Sequence, residues 1–312
     1  MNAFQIAVRA VLPMALLMGI GVSLRLTGVT DRQTMKKVDV ISYRLLIPML
    51  MFYNIYNADF SRLSHAAYIL FALGVLTVLF LFALFVVPKL EPNPGTAASL
   101  GQVIVRPNYL IFGVVVAESI YGKGNIGPMA LLGAVCIPVF NAMSAIVLEA
   151  GVAEKSDFRS LCASILKNPM VVAALIGLGV NVTGIRLPDF AEKVVSDLSD
   201  MSTPLSFLSL GVSLNLASMG ERLRPLLIGT VGKLVAVPVL FVPIAIALGI
   251  RGQELCSLVI FCGAPTAVAG YPMAVAMGAD GELAGQAVVF TTLFSLFTIF
   301  LWILILSSLA LL

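Results

Sequence analysis

Long apolar runs alternate with short polar stretches along the whole chain, and this pattern predicts membrane-spanning helices. A spanning helix needs about 20 mostly apolar residues. Ten segments meet this requirement, and we number them 1 to 10 in chain order: 4–24, 40–58, 66–88, 98–120, 127–149, 168–185, 200–219, 226–250, 255–278 and 285–309. The sequence therefore predicts an all-α polytopic membrane protein with ten transmembrane helices.

Composition points to the same class and excludes several others. Of the 312 residues, 60% are hydrophobic and 11% are charged, whereas about 25% of residues in a soluble domain are charged. The net charge of +3 is too small to indicate nucleic-acid binding. The sequence contains no zinc-protease motif, phosphate-binding loop or catalytic triad. We therefore expect no enzymatic activity, no cofactor, no metal ion and no nucleic-acid partner, and membrane lipid as the surrounding partner.

Basic residues are distributed unevenly between the loops, which predicts an orientation. Loops 1–2, 3–4, 5–6, 7–8 and 9–10 hold ten Lys and Arg residues, and the loops on the other face hold five. Because cytoplasmic loops carry the excess of Lys and Arg, the first set is predicted to be cytoplasmic. Both termini are then predicted to lie outside.

The two halves of the chain resemble each other. The stretch PMALLMGIGVSLRLTGV (13–29) matches PMVVAALIGLGVNVTGI (169–185) at six positions with a shift of 156 residues, half the chain length. The same shift aligns a proline of segment 2 with a proline of segment 7. Since each half has five helices, the second half enters the membrane from the opposite side. The sequence predicts two inverted repeats, 1–156 and 157–312, an arrangement found in many secondary transporters.

Segments 4 and 9 occupy corresponding places in the two repeats, and each is interrupted in its apolar middle. Segment 4 contains Pro107 followed by Asn108, and segment 9 contains Pro265 followed by Thr266. Such a pair of broken helices is the best sequence indication of a transporter binding site. A proline frees a backbone carbonyl, so a substrate, an ion or a side chain is expected to satisfy it. We also expect the N-termini of two half-helices to point at one place, which favours an anion.

Five stretches, taken together and in order, are characteristic: RPN (106–108), NPMVVAALIGLGVNVTG (168–184), TPLSFLSLGVSL (203–214), GKLVAVPVL (232–240) and the stretch that begins APTAVAGYPMAVAMG and runs through most of segment 10 (264–304). In these stretches the chain resembles the auxin efflux carrier family, which includes plant PIN-type auxin transporters and bacterial carriers annotated for malonate. The resemblance extends over the whole chain.

This resemblance implies a division of labour among the helices. Helices 1, 2, 6 and 7 would form a scaffold, and helices 3–5 and 8–10 a transport domain that moves in an elevator-like cycle. Helices 4 and 9 would cross at their prolines beside the substrate. The resemblance also implies a bacterial inner (plasma) membrane location and a homodimer, as in the plant relatives. Plant members carry an acid in helix 3, but segment 3 contains none, which argues against a proton-linked role there.

The strongest candidates for substrate binding lie at the two breaks: Arg106, Pro107, Asn108, Pro265 and Thr266. An Arg at membrane depth normally faces a partner or a cavity, and its planar fork fits a carboxylate. Its alternatives are pairing with an acid or reaching to the membrane edge. Asn108 offers a donor and an acceptor, or could cap the half-helix that follows. The Thr266 hydroxyl could contact substrate or bond back to a helical carbonyl.

Three further polar residues are candidates for substrate or coupling-ion contact: Lys233, Glu118 and Asn141. Lys233 could instead form a structural ion pair with Glu118 or Glu149. Glu118 could bind a coupling cation, or lie at the membrane edge.

Together these features predict a secondary active transporter of a small organic anion, a malonate-like dicarboxylate or another carboxylate. A sodium-coupled organic anion symporter of the bile-acid-carrier type is the alternative, with a channel as a weaker one.

Overall fold

The computed structural model describes residues 3–57, 66–122, 126–152, 167–215 and 217–312. Within these ranges the helices follow the ten predicted segments in order, with segments 4 and 9 each divided in two. We number them α1 Ala3–Leu26, α2 Arg32–Tyr56, α3 Ala66–Phe85, α4 Pro94–Val105, α5 Tyr109–Tyr121, α6 Gly127–Val152, α7 Pro169–Thr183, α8 Asp189–Ser213, α9 Gly220–Ala247, α10 Gly252–Gly263, α11 Gly270–Ala276 and α12 Gly281–Ser308.

Five of the described helices are long and apolar enough to cross a membrane alone: Arg32–Tyr56, a span Ala67–Leu90 that extends α3, Gly127–Val152, Gly220–Ala247 and Gly281–Ser308. The predicted all-helical membrane fold is confirmed. The predicted boundary between the two repeats, after residue 156, lies outside the described residues.

Two helices extend further toward the N-terminus than their apolar segments. Helix α2 begins at Arg32, eight residues before the predicted start at 40, because the Asp31 side chain caps it by accepting the Thr34 N–H at 2.7 Å. Helix α8 begins at Asp189 rather than 200 and ends at Ser213 rather than 219. Its first eleven residues mix polar with apolar side chains, and all but Ser199 are exposed or half-buried, so a search for apolar runs misses them.

Prolines inside α2 and α9 are accommodated by widened π-helical turns. The turns Ser42–Leu46 and Gly232–Ala236 come just before Pro48 and Pro238. The residue between turn and proline bonds five residues back, as Ile47 N–H does to the Ser42 carbonyl. Since proline cannot donate to the helical ladder, the wider turn keeps the preceding N–H groups bonded and the helix continuous.

Helices α1, α2, α7 and α8 pair closely with one another. Helix α1 packs along α8, and α2 packs along α7. Gly21 and Gly211 lie at the crossing of α1 and α8, where a Cβ on either residue would overlap with backbone of the other helix. Small residues allow this close approach, which is how membrane helices usually associate.

The largest apolar cluster lies mainly among the helices of segments 3–5 and 8–10. Its fully buried members include Leu76 of α3, Leu100 of α4, Leu132 of α6 and Leu258 of α10. A separate small cluster joins α2 to α7. The breaks of segments 4 and 9 lie next to this large cluster, since Val105, Tyr109 and Ala264 all belong to it.

Candidate functional site

Segments 4 and 9 meet at their breaks, where two short extended stretches run antiparallel. The Asn108 N–H donates to the Pro265 carbonyl at 2.7 Å, and the Ala267 N–H donates to the Arg106 carbonyl at 3.1 Å. We call this junction, residues 106–108 and 264–267, the crossover. The two prolines predicted to mark corresponding breaks are therefore neighbours in space.

Each break follows from the conformation that a proline imposes on the residue before it. A residue preceding proline is pushed out of the helical region and into an extended one. Helix α4 ends at Val105, and Arg106 is extended with φ −107° and ψ 94°. Helix α10 ends at Gly263, and Ala264 is extended with φ −63° and ψ 148°.

The backbone groups freed by the breaks are bonded within the protein. The Thr266 N–H donates to the Thr291 hydroxyl of α12 at 3.1 Å. The Thr266 hydroxyl donates to the Arg106 carbonyl at 3.2 Å. The sequence predicts that a substrate, an ion or a side chain satisfies the freed groups. Backbone pairing between the two breaks and the hydroxyl groups of Thr266 and Thr291 satisfy these groups in the structure.

The expectation of two half-helix N-termini at one place is corrected by the structure. Helix α5 begins at Tyr109, directly after the crossover. Helix α11 begins only at Gly270 and has seven residues, and a turn at 268–269 separates it from the crossover. A positive helix end is therefore present beside the crossover from α5 alone.

Arg106 brings a buried guanidinium to the crossover. The residue is 3% exposed. Its Nη1 contacts the Met273 sulfur of α11, and its Nε has no hydrogen-bond partner among the described residues. Within that part of the chain, no carboxylate forms an ion pair with it. The pairing alternative is thus absent from the described contacts, and the guanidinium keeps a donor for a ligand.

Asn108 places a second donor at the same junction. It precedes α5, but its side chain forms no cap bond to that helix. The residue is 8% exposed, and its Nδ2 has no hydrogen-bond partner in the described ranges. Since an unbonded buried polar group is costly, two such donors within three residues of sequence indicate a place for an acceptor.

Lys233 lies beside α10 rather than in an ion pair. It is 1% exposed in the widened turn of α9, and this turn packs against α10. The described contacts contain no ion pair from Lys233 to Glu118 or Glu149. The Lys233 side chain is therefore buried on the α10 side of α9 without a carboxylate partner in the described chain.

The other two candidates lie further away or in a different helix. Glu118 follows Asn108 by ten residues, about 15 Å along α5, and is half-buried. It cannot contact the same small molecule as the crossover donors. Asn141 is buried in α6, and its Oδ1 has no partner in the described ranges.

Sequence reasoning missed several residues of this region. Met273 receives contacts from both Arg106 and Gln102, the latter at 3.7 Å, and Thr291 holds the crossover backbone. No local motif marks these residues, because their roles arise from tertiary contact. Asp39 of α2 is also buried and lies one residue before the predicted segment 2. The sequence does contain a signal for its burial in a helix, since Asp31 is a typical helix N-cap and predicts that the helix begins before Asp39.

A cavity of about 1160 Å³ opens at one face of the molecule. Its walls come from the first turns of α2, α4, α9 and α12, the loops that precede α4, α9 and α12, the C-terminal end of α8, and α11: Arg32, Lys36, Asn93, Gly95, Thr96, Ser213, Leu214, Arg222, Tyr271, Asp280 and Gln286 are among the lining residues. Members of the predicted loops 1–2, 3–4, 7–8 and 9–10 are among them, so the structure groups these four predicted cytoplasmic loops on one side.

Comparison with known proteins places the chain among transporters. The chain is 22% identical to an uncharacterized transporter of Methanothermobacter thermautotrophicus over 304 residues, covering 96% of this chain and 98% of that protein. Its fold is similar to the solved structure of a sodium proton antiporter from Methanocaldococcus jannaschii, with a TM-score of 0.60 and 13% sequence identity. The match covers 96% of this chain and 97% of the antiporter.

The sequence profile of one family covers nearly the whole chain. The family of membrane transport proteins matches residues 6–303, which includes both sides of the crossover. This match confirms the resemblance to the auxin efflux carriers. The chain is a member of the membrane transport protein family, to which the auxin efflux carriers belong.

Proposed function

We propose that the protein is a secondary transporter of a small organic anion that binds at the crossover. The observation that carries this proposal is the pair of buried, unpartnered donors, Arg106 Nε and Asn108 Nδ2. The crossover backbone has already bonded its own groups, so the ligand is recognised by side chains. A guanidinium, an amide N–H and one helix N-terminus together select a negatively charged acceptor.

A malonate-like dicarboxylate or another small carboxylate fits this arrangement. Arg binds carboxylates through a planar fork, and a carboxylate accepts several hydrogen bonds at once. Lys233, buried in the widened turn of α9, is the group that we propose for a second carboxylate of a short diacid. A neutral analogue lacks the charge that offsets burial of the guanidinium.

The transport cycle that we propose is of the elevator type. Helices α1, α2, α7 and α8 would form the scaffold, supported by their mutual pairing and the separate apolar cluster between α2 and α7. The remaining helices, with the large cluster and the crossover, would move as the transport domain. Each of these helix pairs joins one segment of the first half to one of the second: segment 1 packs with segment 7, and segment 2 packs with segment 6. An inverted repeat, which matches segment 1 to 6 and segment 2 to 7, turns one pair into the other.

The proposed setting is a bacterial inner membrane with both termini outside. The cavity then opens toward the cytoplasm, because its four loops carry the excess of basic residues. The homodimer implied by the plant relatives is part of the same proposal.

Equilibrium dialysis of the purified protein against labelled malonate tests the binding site. Hydrogen bonds to charged groups contribute about 1.5–3 kcal/mol, so Arg106→Gln should weaken binding by roughly 10–150-fold. Arg186→Gln is the matched control, because Arg186 lies over the Tyr56 ring away from the crossover. Equal binding by both variants would place the ligand elsewhere. Competition by other carboxylates, but not by malonate diamide, is expected if charge recognition dominates.

A further inference from the structure

Asp39 is a buried carboxylate that the crossover does not use. It is 0% exposed in α2, although it lies one residue before the predicted membrane segment 40–58. Its Oδ1 accepts the Ser209 hydroxyl of α8 at 2.6 Å. Its Oδ2 is buried and has no hydrogen-bond partner among the described residues. One oxygen of the carboxylate is thus able to accept a further hydrogen bond or a proton.

The groups that face Asp39 are hydroxyls rather than cations. Ser209 approaches from α8 and the Tyr271 phenol from α11. Tyr271 is the one titratable group that faces it from the helices packed against this part of α2, within the described chain. On α2 itself, Lys36 lies about one turn earlier but is exposed. The buried Ser42 hydroxyl, one turn later, has no partner in the described ranges.

This environment makes the charged form of Asp39 expensive. A buried carboxylate is normally paired with a cation or coordinated by a metal. Ionisable residues inside membrane segments are rare and usually mark ion or proton pathways. A neutral carboxylic acid at the same position donates through its own O–H and needs no counter-charge. The buried site therefore suits the protonated form of Asp39, and the deprotonated form depends on the hydroxyl groups around it.

Solvent comes close to Asp39 on one side. Tyr271 and Ser213 line the cavity, and the Tyr271 phenol also faces both Ser213 and Asp39. Lys36 lines the same cavity from α2. The hydroxyl groups of Ser213 and Tyr271 therefore lie between the cavity and the carboxylate, where they offer a short path for a proton.

The carboxylate also lies at a joint between helices that we assign to different moving parts. Asp39 and Ser209 belong to the proposed scaffold, and Tyr271 belongs to α11 of the proposed transport domain. When α11 moves relative to α2, the phenol leaves the carboxylate. The protonated and deprotonated forms of Asp39 are then stabilised to different degrees in the two positions of the transport domain.

We propose that Asp39 binds and releases the proton that couples transport to a proton gradient. One proton from bulk water adds to Oδ2, converting the carboxylate to a carboxylic acid. After α11 and its Tyr271 phenol have moved away, the proton leaves Oδ2 for water that the movement admits from the opposite face, and no other bond is made or broken. This inference rests on the proposed transport function and adds its coupling ion, at a place outside segment 3.

Infrared spectroscopy tests the proton site without any substrate. Protein in lipid is titrated over about pH 4 to 9, a range in which carboxyl groups of proteins change their protonation state. We expect a protonated-carboxyl C=O band that fades with rising pH and is missing in Asp39→Asn. Asp197→Asn is the matched control, because Asp197 pairs with Lys193 on the exposed surface of α8, and it should keep the band. A full band in Asp39→Asn would overturn the assignment.

Uptake of labelled malonate into proteoliposomes tests the coupling. For one proton per malonate, an inward gradient of one pH unit should raise accumulation about tenfold. In Asp39→Asn the gradient response should vanish while malonate counterflow persists, a split that a purely structural role would not produce. A response to the proton gradient in Asp39→Asn, or a wild-type response to sodium alone, would overturn the proposal.

The two tests separate failure of this inference from failure of the proposed function. Absence of malonate transport in the wild-type protein would contradict the proposed substrate, and the infrared band would still decide whether Asp39 holds a titrating proton. If Asp39→Asn changes the elution profile or the melting temperature, and so does not fold normally, Ser209→Ala is used in its place. That variant removes the hydroxyl on Oδ1 and should shift the pH at which the band fades; an unchanged midpoint would count against the site.

Discussion

Replacing Thr291 by valine should weaken the crossover, although the two side chains have nearly the same shape. The Thr291 hydroxyl accepts the Thr266 N–H at 3.1 Å and donates to the Ala287 carbonyl at 2.6 Å. Valine removes the acceptor and leaves the Thr266 N–H unbonded in a residue that is 3% exposed. An unsatisfied buried donor costs about 1–3 kcal/mol.

The adjacent residue provides the matched control. Thr292 is 1% exposed, but its hydroxyl has no hydrogen-bond partner in the described chain. Thr292→Val therefore removes a polar group that has no bond to lose, and should be neutral or stabilising. The same chemical change at neighbouring positions is thus expected to have opposite consequences.

Thermal unfolding of the detergent-purified protein measures the difference. A chain of this size changes its melting temperature by about 2 °C per kcal/mol, so Thr291→Val should melt roughly 2–6 °C below wild type, with Thr292→Val at or above it. Malonate binding should also weaken in Thr291→Val, because Arg106 and Asn108 are positioned by the same backbone. Equal melting temperatures for the two variants would refute the view that Thr291 holds the crossover.

Two further predictions concern the packing around the site. Gly21→Ala places a Cβ against the backbone of α8 and should cost about 1–3 kcal/mol, whereas Gly19→Ala meets nothing within 4 Å and should change the melting temperature little; equal effects would contradict the close helix approach. Asp280→Asn breaks the 2.9 Å pair with Arg222, which ties the start of α12 to α9, and should cost about 1 kcal/mol, an effect that high salt reduces. The exposed Asp197→Asn should cost less, and a larger loss there would argue that the Asp280 pair is not structural.

The broken helices could be predicted from the sequence because their cause is local. Pro107 and Pro265 force the preceding residue out of the helical region, and that effect needs no tertiary information. The grouping of four loops on one face could likewise be predicted from apolar run lengths. The contacts that complete the crossover could not, since Thr291 and Met273 reach it from distant helices.

Helix extents were predictable only where the helix is apolar. Helix α8 has eleven residues before its predicted start at 200, and they mix polar with apolar side chains. Only their amphipathic spacing and the acidic first turn, Asp189 and Glu192, indicate a helix there. The early start of α2 places Asp39 inside the packed helices rather than in a loop. Because the predicted start of this helix is eight residues too late, it leaves out Asp39, the one acidic side chain that is fully buried in the described chain.

Uptake of labelled malonate into proteoliposomes, compared between wild type, Asn108→Ala and Asn57→Ala, tests the central claim most directly. Asn57 is an exposed residue at the end of α2 and serves as the control. The account predicts saturable uptake in wild type and Asn57→Ala, and loss of uptake in Asn108→Ala, whose Nδ2 is the unpartnered donor at the crossover. Uptake that persists unchanged in Asn108→Ala, or flux that never saturates, would contradict a carrier with its anion site at the crossover.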